Sequence, residues 1–287
     1  MFNKRHIVRT IAATASILAL SFTAACGSGQ STASNSADSN DTTQQTYKPG
    51  KLTIATGQPA YEPWVMNDKP ESGEGYEAAV AYAVADKLGF KKSDVVWTRT
   101  AFDTAIAPGA KDWDFNIQQF GITDERKKAV DFSSSYYNDS QSVVVKKDSK
   151  FANATKVSDL KDATVGVMVG TLAYDYAKAN IKDDIQTFND DAALAQALDA
   201  GQIDALVTST VECVYMVQSE QVKDAKVLGR LPDSEDKSGM GIVLPKDSKL
   251  TAAVTKAVDD LNADGTIKKL QDKWLAEYTT DLTELKK

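Results

Sequence analysis

The chain has 287 residues, 42% hydrophobic and 25% charged, with a formal net charge of −7 and a pI near 4.9. That length suffices for one large or two ordinary domains, and an acidic balance without a basic stripe excludes a general nucleic-acid binder. His6 is the only histidine, and Cys26 and Cys213 are the only cysteines. A Ser-His-Asp triad, a Cys-His dyad, a histidine metal site and a disulfide framework are therefore excluded from the body of the chain.

Residues 1–25 differ from the rest. Lys4, Arg5 and Arg9 form a positive start, residues 11–22 are uncharged and mostly apolar, and TAAC (23–26) leads through small residues into a cysteine. This reads as a secretory signal, too short for a comfortable membrane span. It resembles a bacterial lipoprotein signal, with Thr23 where Leu usually opens the motif; the resemblance implies that Cys26 becomes the lipid-modified first residue. Losing Lys4, Arg5 and Arg9 with the signal takes the net charge from −7 to −10. Residues 27–46, GSGQSTASNSADSNDTTQQT, carry almost no large apolar side chain and cannot bury enough surface to fold. The stretch 26–49 is expected to be a flexible tether.

From Lys51 onward, strand and helix signals alternate. LTIAT (52–56) predicts a strand, YEAAVAYAVADKLG (76–89) a helix stopped by Gly89, DVVWTR (94–99) a strand, FDTAIAPG (102–109) a short helix and WDFNIQQF (113–120) a strand. The order then recurs: strand 163–171, helix 172–180, strand 184–189, helix 190–201 and strand 203–209. Such alternation predicts an α/β fold with mostly parallel sheets covered by helices. VVKKDSK (144–150) and VLPKDSK (243–249) are near-repeats. The simplest architecture has two lobes, the second inserted in the first: 50–138 with 240–287, and 139–239. The chain would cross near residues 136–141 and return near 237–241, with the tail helices of 250–285 packed on the first lobe. Both lobes would aim the carboxyl ends of their strands into one cleft, where ligands of α/β sheets bind and which a hinge can close.

QQFGITDERKKAVDFSSSYY (118–137) contains an anomaly. Thr123 reads as an N-cap, with Asp124 and Glu125 favourably placed in the first helical turn. Arg126 sits against the helix dipole, which makes sense if it meets an anion in the cleft. In the other lobe, Gly170-Thr171-Leu172 offers a strand-to-helix turn with free amides. A ligand carboxylate could bridge the two. Tyr61, Trp64 and Phe102 follow strands and could wall an apolar part of a ligand. Each also has an ordinary structural reading: an ion pair of Arg126 with Asp124, a plain loop at Gly170, aromatic residues of a core.

Together, LTIATGQPAYEPWV, FGITDERKKAVDFSSSYY, GVMVGTLAYDYAKANI, GQIDALVTS and GMGIVLPKDSKL resemble the family 3 solute-binding proteins of ABC importers, which bind polar amino acids. The resemblance covers about residues 51–278. It implies a two-lobed periplasmic-binding-protein-like fold, ligand capture by closure, and delivery to a membrane permease. It also implies that Arg126 holds a ligand α-carboxylate, that backbone groups of residues 170–172 assist, and that Tyr61 and Phe102 frame the ligand. Three positions depart from the family: Gly121 replaces a Ser or Thr that bonds the carboxylate, Ser209 an Asp that pairs with the α-ammonium, and Gly57 a frequent acid. Glu212, one turn beyond Ser209, could restore the missing charge. Gln118 and Gln119 could read a polar side chain or fill the site.

The expected protein is a lipid-anchored, monomeric binding component with a small amino-acid-like ligand and a permease partner, without metal, cofactor or catalysis. The alternative is an enzyme on the same fold, resembling a cyclohexadienyl dehydratase, with Glu212 or Glu125 as acid or base. A receptor's ligand-sensing domain is a weaker third reading, since no membrane helix or signalling segment is seen after Lys287.

Overall fold

The structure, a computed structural model, describes residues 42–279 and 282–287. The signal 1–25, Cys26 and the first part of the tether lie outside the described residues.

The first sheet grows from strands β1 (Leu52–Thr56), β2 (Val95–Arg99), β3 (Phe115–Asn116) and β4 (Val130–Tyr137), with helices α1 (Tyr76–Lys87) and α2 (Phe102–Ile106) between them. β1 is buried along its whole length, as a continuous apolar run in a covered parallel sheet must be. The chain enters the second sheet at β5 (Gln141–Lys146) and continues through β6 (Val165–Met168), α3 (Leu172–Asn180), β7 (Gln186–Phe188), α4 (Asp191–Asp199), β8 (Ala205–Ser209), α5 (Thr210–Gln218) and β9 (Ala225–Arg230). It returns to the first sheet at β10 (Met240–Pro245), followed by α6 (Thr251–Ala263) and α7 (Thr266–Trp274).

The strand orders are β2-β1-β3-β10-β4 and β7-β6-β8-β5-β9. In each, the first three strands are parallel and the fourth runs antiparallel to both neighbours. β5 and β10 thus occupy equivalent positions, which explains the near-repeat: VVKKDSK and VLPKDSK each finish the strand that joins one sheet to the other and then turn. The first lobe packs Leu52, Ile54, Tyr76, Phe115 and Ile242 against α6 and α7. The second sheet is covered on both faces: Val143, Val165 and Val167 pack with Ala173 and Ala177 of α3 on one side, and Leu206 with Leu194 and Leu198 of α4 on the other. This mixed α/β, two-lobed arrangement is the fold expected.

Four local expectations are corrected. The strand predicted over 113–120 is only Phe115–Asn116, because Gln119 turns into the left-handed region (φ 50) and ends the ladder. The helix predicted after Thr123 is a single 3-10 turn over Arg126–Lys128, with Glu125 rather than Thr123 in the N-cap position; the Thr123 hydroxyl still accepts from Arg126 N at 3.1 Å. Residues 42–49, read as tether, lie on the first lobe: Thr46 is buried, and Asp114 accepts from Tyr47 N at 2.5 Å and from Thr53 N at 2.6 Å. Residues 283–287, read with the first lobe, bond to the second sheet instead. Arg230 N donates to Thr283 O and Leu285 N to Arg230 O, each at 2.9 Å, so the tail satisfies the open edge of β9.

Candidate functional site

The carboxyl ends of β1 and β3 face those of β6, β7 and β8 across a cavity of about 260 Å³. Tyr61, Trp64, Phe102, Gln119, Gly121, Arg126, Thr171, Leu172, Ser209 and Glu212 all line it. Gly170 stands at its edge and contributes a carbonyl.

Arg126 is the cavity's cation. Its Nη1 donates to Gly121 O at 2.6 Å and its Nη2 to Gly170 O at 2.8 Å, so one guanidinium joins the two lobes. The guanidinium carbon lies 5.5 Å from the Phe102 ring centroid, and Phe102 stacks on Phe120 at 4.6 Å. The ion pair with Asp124 does not form, because Asp124 meets Lys127 at 3.4 Å. Burial lowers the Arg126 pKa, against the opposing pull of Asp175 and Asp236. Opposite, Thr171 caps α3, accepting from Tyr174 N at 3.2 Å and donating to Met168 O at 2.8 Å. Its hydroxyl is committed locally, while the first amides of α3 have no intrahelical acceptor.

The glycine at 121 has a steric cause. A Cβ there would lie 2.5 Å from Leu172 Cδ1 and 2.8 Å from Asp236 Oδ2. Where the resemblance leads to the expectation of a hydroxyl from one lobe, this chain places a leucine and a carboxylate from the other part of the cleft. The glycine at 57 is explained similarly: a Cβ would meet Gln118 Nε2 and Pro59 O, both at 2.9 Å. Gln118 fills the space that an acid at 57 would need.

The other end of the cavity is acidic. Ser209 caps α5, accepting from Glu212 N at 3.3 Å, so its hydroxyl is committed to the cap. Glu212 is buried with Oε1 lacking a partner among the described residues, and Trp64, stacked edge-on against Tyr137 at 5.5 Å, favours its ionised form. Asp191 accepts from Thr208 Oγ1 at 3.4 Å, and Asp139 from Ser140 N at 2.7 Å. Burial, and then the neighbouring Asp191, hold the Glu212 carboxyl well above the usual range, and burial pushes Asp139 up to about 6. Tyr61 closes the roof from the first lobe, its hydroxyl accepting from Ala192 N at 3.4 Å. Glu125 stays in solvent, paired with Lys128 outside the cavity.

Beneath Gln119 lies Glu77, fully buried in the first turn of α1. It accepts from Gln119 N at 2.7 Å, from Gln119 Nε2 and from Tyr136 Oη. Gln119 therefore faces down rather than reading a ligand side chain, and its strained φ is held by that carboxylate. Burial raises the Glu77 pKa from 4.5 to about 7. A raised acid stabilises the fold fully below its unfolded value and loses that contribution as pH rises through the folded one. The ligand-free domain should thus melt several degrees higher at pH 5.5 than at pH 8 by calorimetry (Glu77 and Asp139 titrating between). A flat profile, or one rising with pH, would contradict this.

Sequence reasoning missed Asp139, Asp190, Asp191, Asp236 and Glu77. Asp190 and Asp191 follow β7 at a strand-to-helix turn, the same position that identified Arg126, so the same rule finds them. Asp139 and Asp236 lie in the two crossings. Glu77 gave no signal, since a first-turn glutamate reads as an ordinary dipole partner.

The family model for bacterial extracellular solute-binding proteins, family 3, matches residues 52–277. The L-arginine-binding protein of Pseudomonas aeruginosa is 29% identical over 245 residues, covering 80% of this chain and 88% of its own. The L-cystine-binding protein TcyJ of Escherichia coli is 30% identical over 223 residues, covering 77% and 81%. The solved arginine-, lysine-, histidine-binding protein ArtJ of Geobacillus stearothermophilus superposes with a TM-score of 0.68 at 25% identity, covering 79% of this chain and 95% of that one.

Proposed function

The chain belongs to the bacterial extracellular solute-binding proteins of family 3, and from that premise we propose that it captures an amino acid by its carboxylate and delivers it to the permease of an ABC importer. The observation that carries this reading is Arg126. Its fork is half-buried in the cleft, bonded to one carbonyl from each lobe, and without an ion-pair partner within 4 Å among the described residues. A planar guanidinium matches a carboxylate with two parallel hydrogen bonds, and the amides at the start of α3 add donors. Tyr61 and Phe102 wall the ligand, and Glu212 takes a cationic group of it. Binding that bridges both lobes favours the closed arrangement over an open one by its differential contacts.

The reading requires no chemistry on the ligand. Incubating the mature chain with amino acids and with prephenate-like acids tests it. Amino acids should raise the melting temperature and be recovered unchanged; turnover of an acid would make the protein an enzyme instead.

Attachment to the membrane belongs to the same proposal. No helix among the described residues is long and apolar enough to cross a membrane, and durable anchoring needs more than one acyl chain. Cys26→Ala should stay unprocessed or leave the membrane fraction, measured by lipid labelling. A processed, lipid-labelled mutant would remove the anchor.

A further inference from the structure

The cavity is electrostatically lopsided. Among the described residues, Arg126 is the only cationic side chain lining it, against the carboxylates of Asp139, Asp190, Asp191, Glu212 and Asp236. Asp190 is committed to capping α4, accepting from Ala193 N at 2.8 Å. The other four fall into two groups. Asp236 belongs with Arg126, whose charge acts on it; its Oδ2 is buried without a partner among the described residues and abuts the bare Cα of Gly121. Glu212, Asp191 and Asp139 form the second group, where α4, α5 and the first crossing meet. Glu212 is only 4% exposed, its Oε1 has no partner among the described residues, and it lines the cavity. Asp175 and Asp236 favour the charge on Arg126, whereas Asp191 and Asp139 repel a charge on Glu212.

An α-carboxylate and an α-ammonium share one carbon, so one end of the cavity must meet both. Arg126 and Asp236 make such a pair. That leaves three carboxylates facing the ligand's side chain, Glu212 and Asp139 buried and Asp191 half-buried. Three acids brought together out of water repel one another unless a cation or protons offset them. A neutral amide side chain supplies neither. A double zwitterion such as cystine would bring a second carboxylate to a place that holds no cation.

We propose that the ligand is an amino acid with a cationic side chain, a guanidinium or second ammonium, seated against Glu212, Asp191 and Asp139, with its α-ammonium on Asp236. This rests on the carboxylate clamp at Arg126.

The test is isothermal titration of the mature chain at pH 7.5 with matched pairs: L-arginine against L-citrulline, L-lysine against L-glutamine, and L-cystine. Arginine or lysine should bind at least roughly tenfold tighter than its neutral counterpart, the size of one charge-assisted bond. Glu212→Gln should shrink that preference about tenfold. Asp191→Asn should do the same, and serves if the first variant is misfolded. Citrulline, glutamine or cystine binding as tightly as the cationic partners would overturn the proposal and leave the carboxylate clamp standing. Agmatine or cadaverine binding as tightly as arginine or lysine would overturn the clamp and leave the acidic subsite standing. Failure of every amino acid and amine to bind would overturn both.

Discussion

Arg126→Ala should lose at least roughly a hundredfold in affinity for the ligand and show no ligand-induced thermal shift. The side chain lines the cleft, and once a ligand fills that cleft, removing the side chain leaves a bound carboxylate without its main partner in a water-poor site, a loss of about 3–5 kcal/mol. The free protein should keep its melting temperature within a few degrees. What disappears in the unliganded domain is two hydrogen bonds to the neutral carbonyls of Gly121 and Gly170. Both carbonyls border the cavity, where water can replace the donor. Arg126→Lys should fall between, since an ammonium supplies charge without the fork. Normal binding by Arg126→Ala, or outright unfolding, would make the residue structural.

Glu77→Ala should cost stability rather than affinity first. The carboxylate sits at the centre of Gln119 N, Gln119 Nε2 and Tyr136 Oη. Truncation strands the buried Tyr136 hydroxyl and the part-buried Gln119 donors, at about 1–3 kcal/mol for each group left unsatisfied. A total near 4 kcal/mol lowers the melting temperature by about 8–16 °C for a domain of this size. Affinity should fall as well, because Gln119 would relax from its left-handed conformation and release the cavity floor. Glu77→Gln should be milder, keeping the shape and one good acceptor. It should also flatten the rise in stability toward acid pH, since the raised carboxyl at 77 is gone. A wild-type melting temperature for Glu77→Ala would show that water or neighbouring groups satisfy these donors.

Much of this was legible in the sequence because local patterning and tertiary placement agree. The apolar run of β1, the alternating helices stopped by glycine and the repeated KDSK turns each report the position they occupy in a sheet. Arg126 was legible for the opposite reason. By pattern it breaks the rule for a helix start, and although only a 3-10 turn forms there, such breaks in local patterning collect at functional sites. The length of β3 was not legible: Gln118 and Gln119 continue an apolar strand by pattern, and only Glu77, from a distant helix, pulls Gln119 out of it. The tail was misread because the open edge of β9 cannot be foreseen before strand order is known. The acidic end was half legible. Glu212 was reached through the missing aspartate at 209, but Asp139 and Asp236 become site residues only when the two crossings meet.

The proposed function stands on a ligand held by its carboxylate at Arg126. One titration tests it directly: the tightest-binding amino acid and its decarboxylated amine, measured against the same wild-type protein. The amine keeps every other group, so it should bind at least roughly a hundredfold more weakly, the cost of leaving Arg126 unpaired. Equal affinities for the acid and the amine would contradict the account.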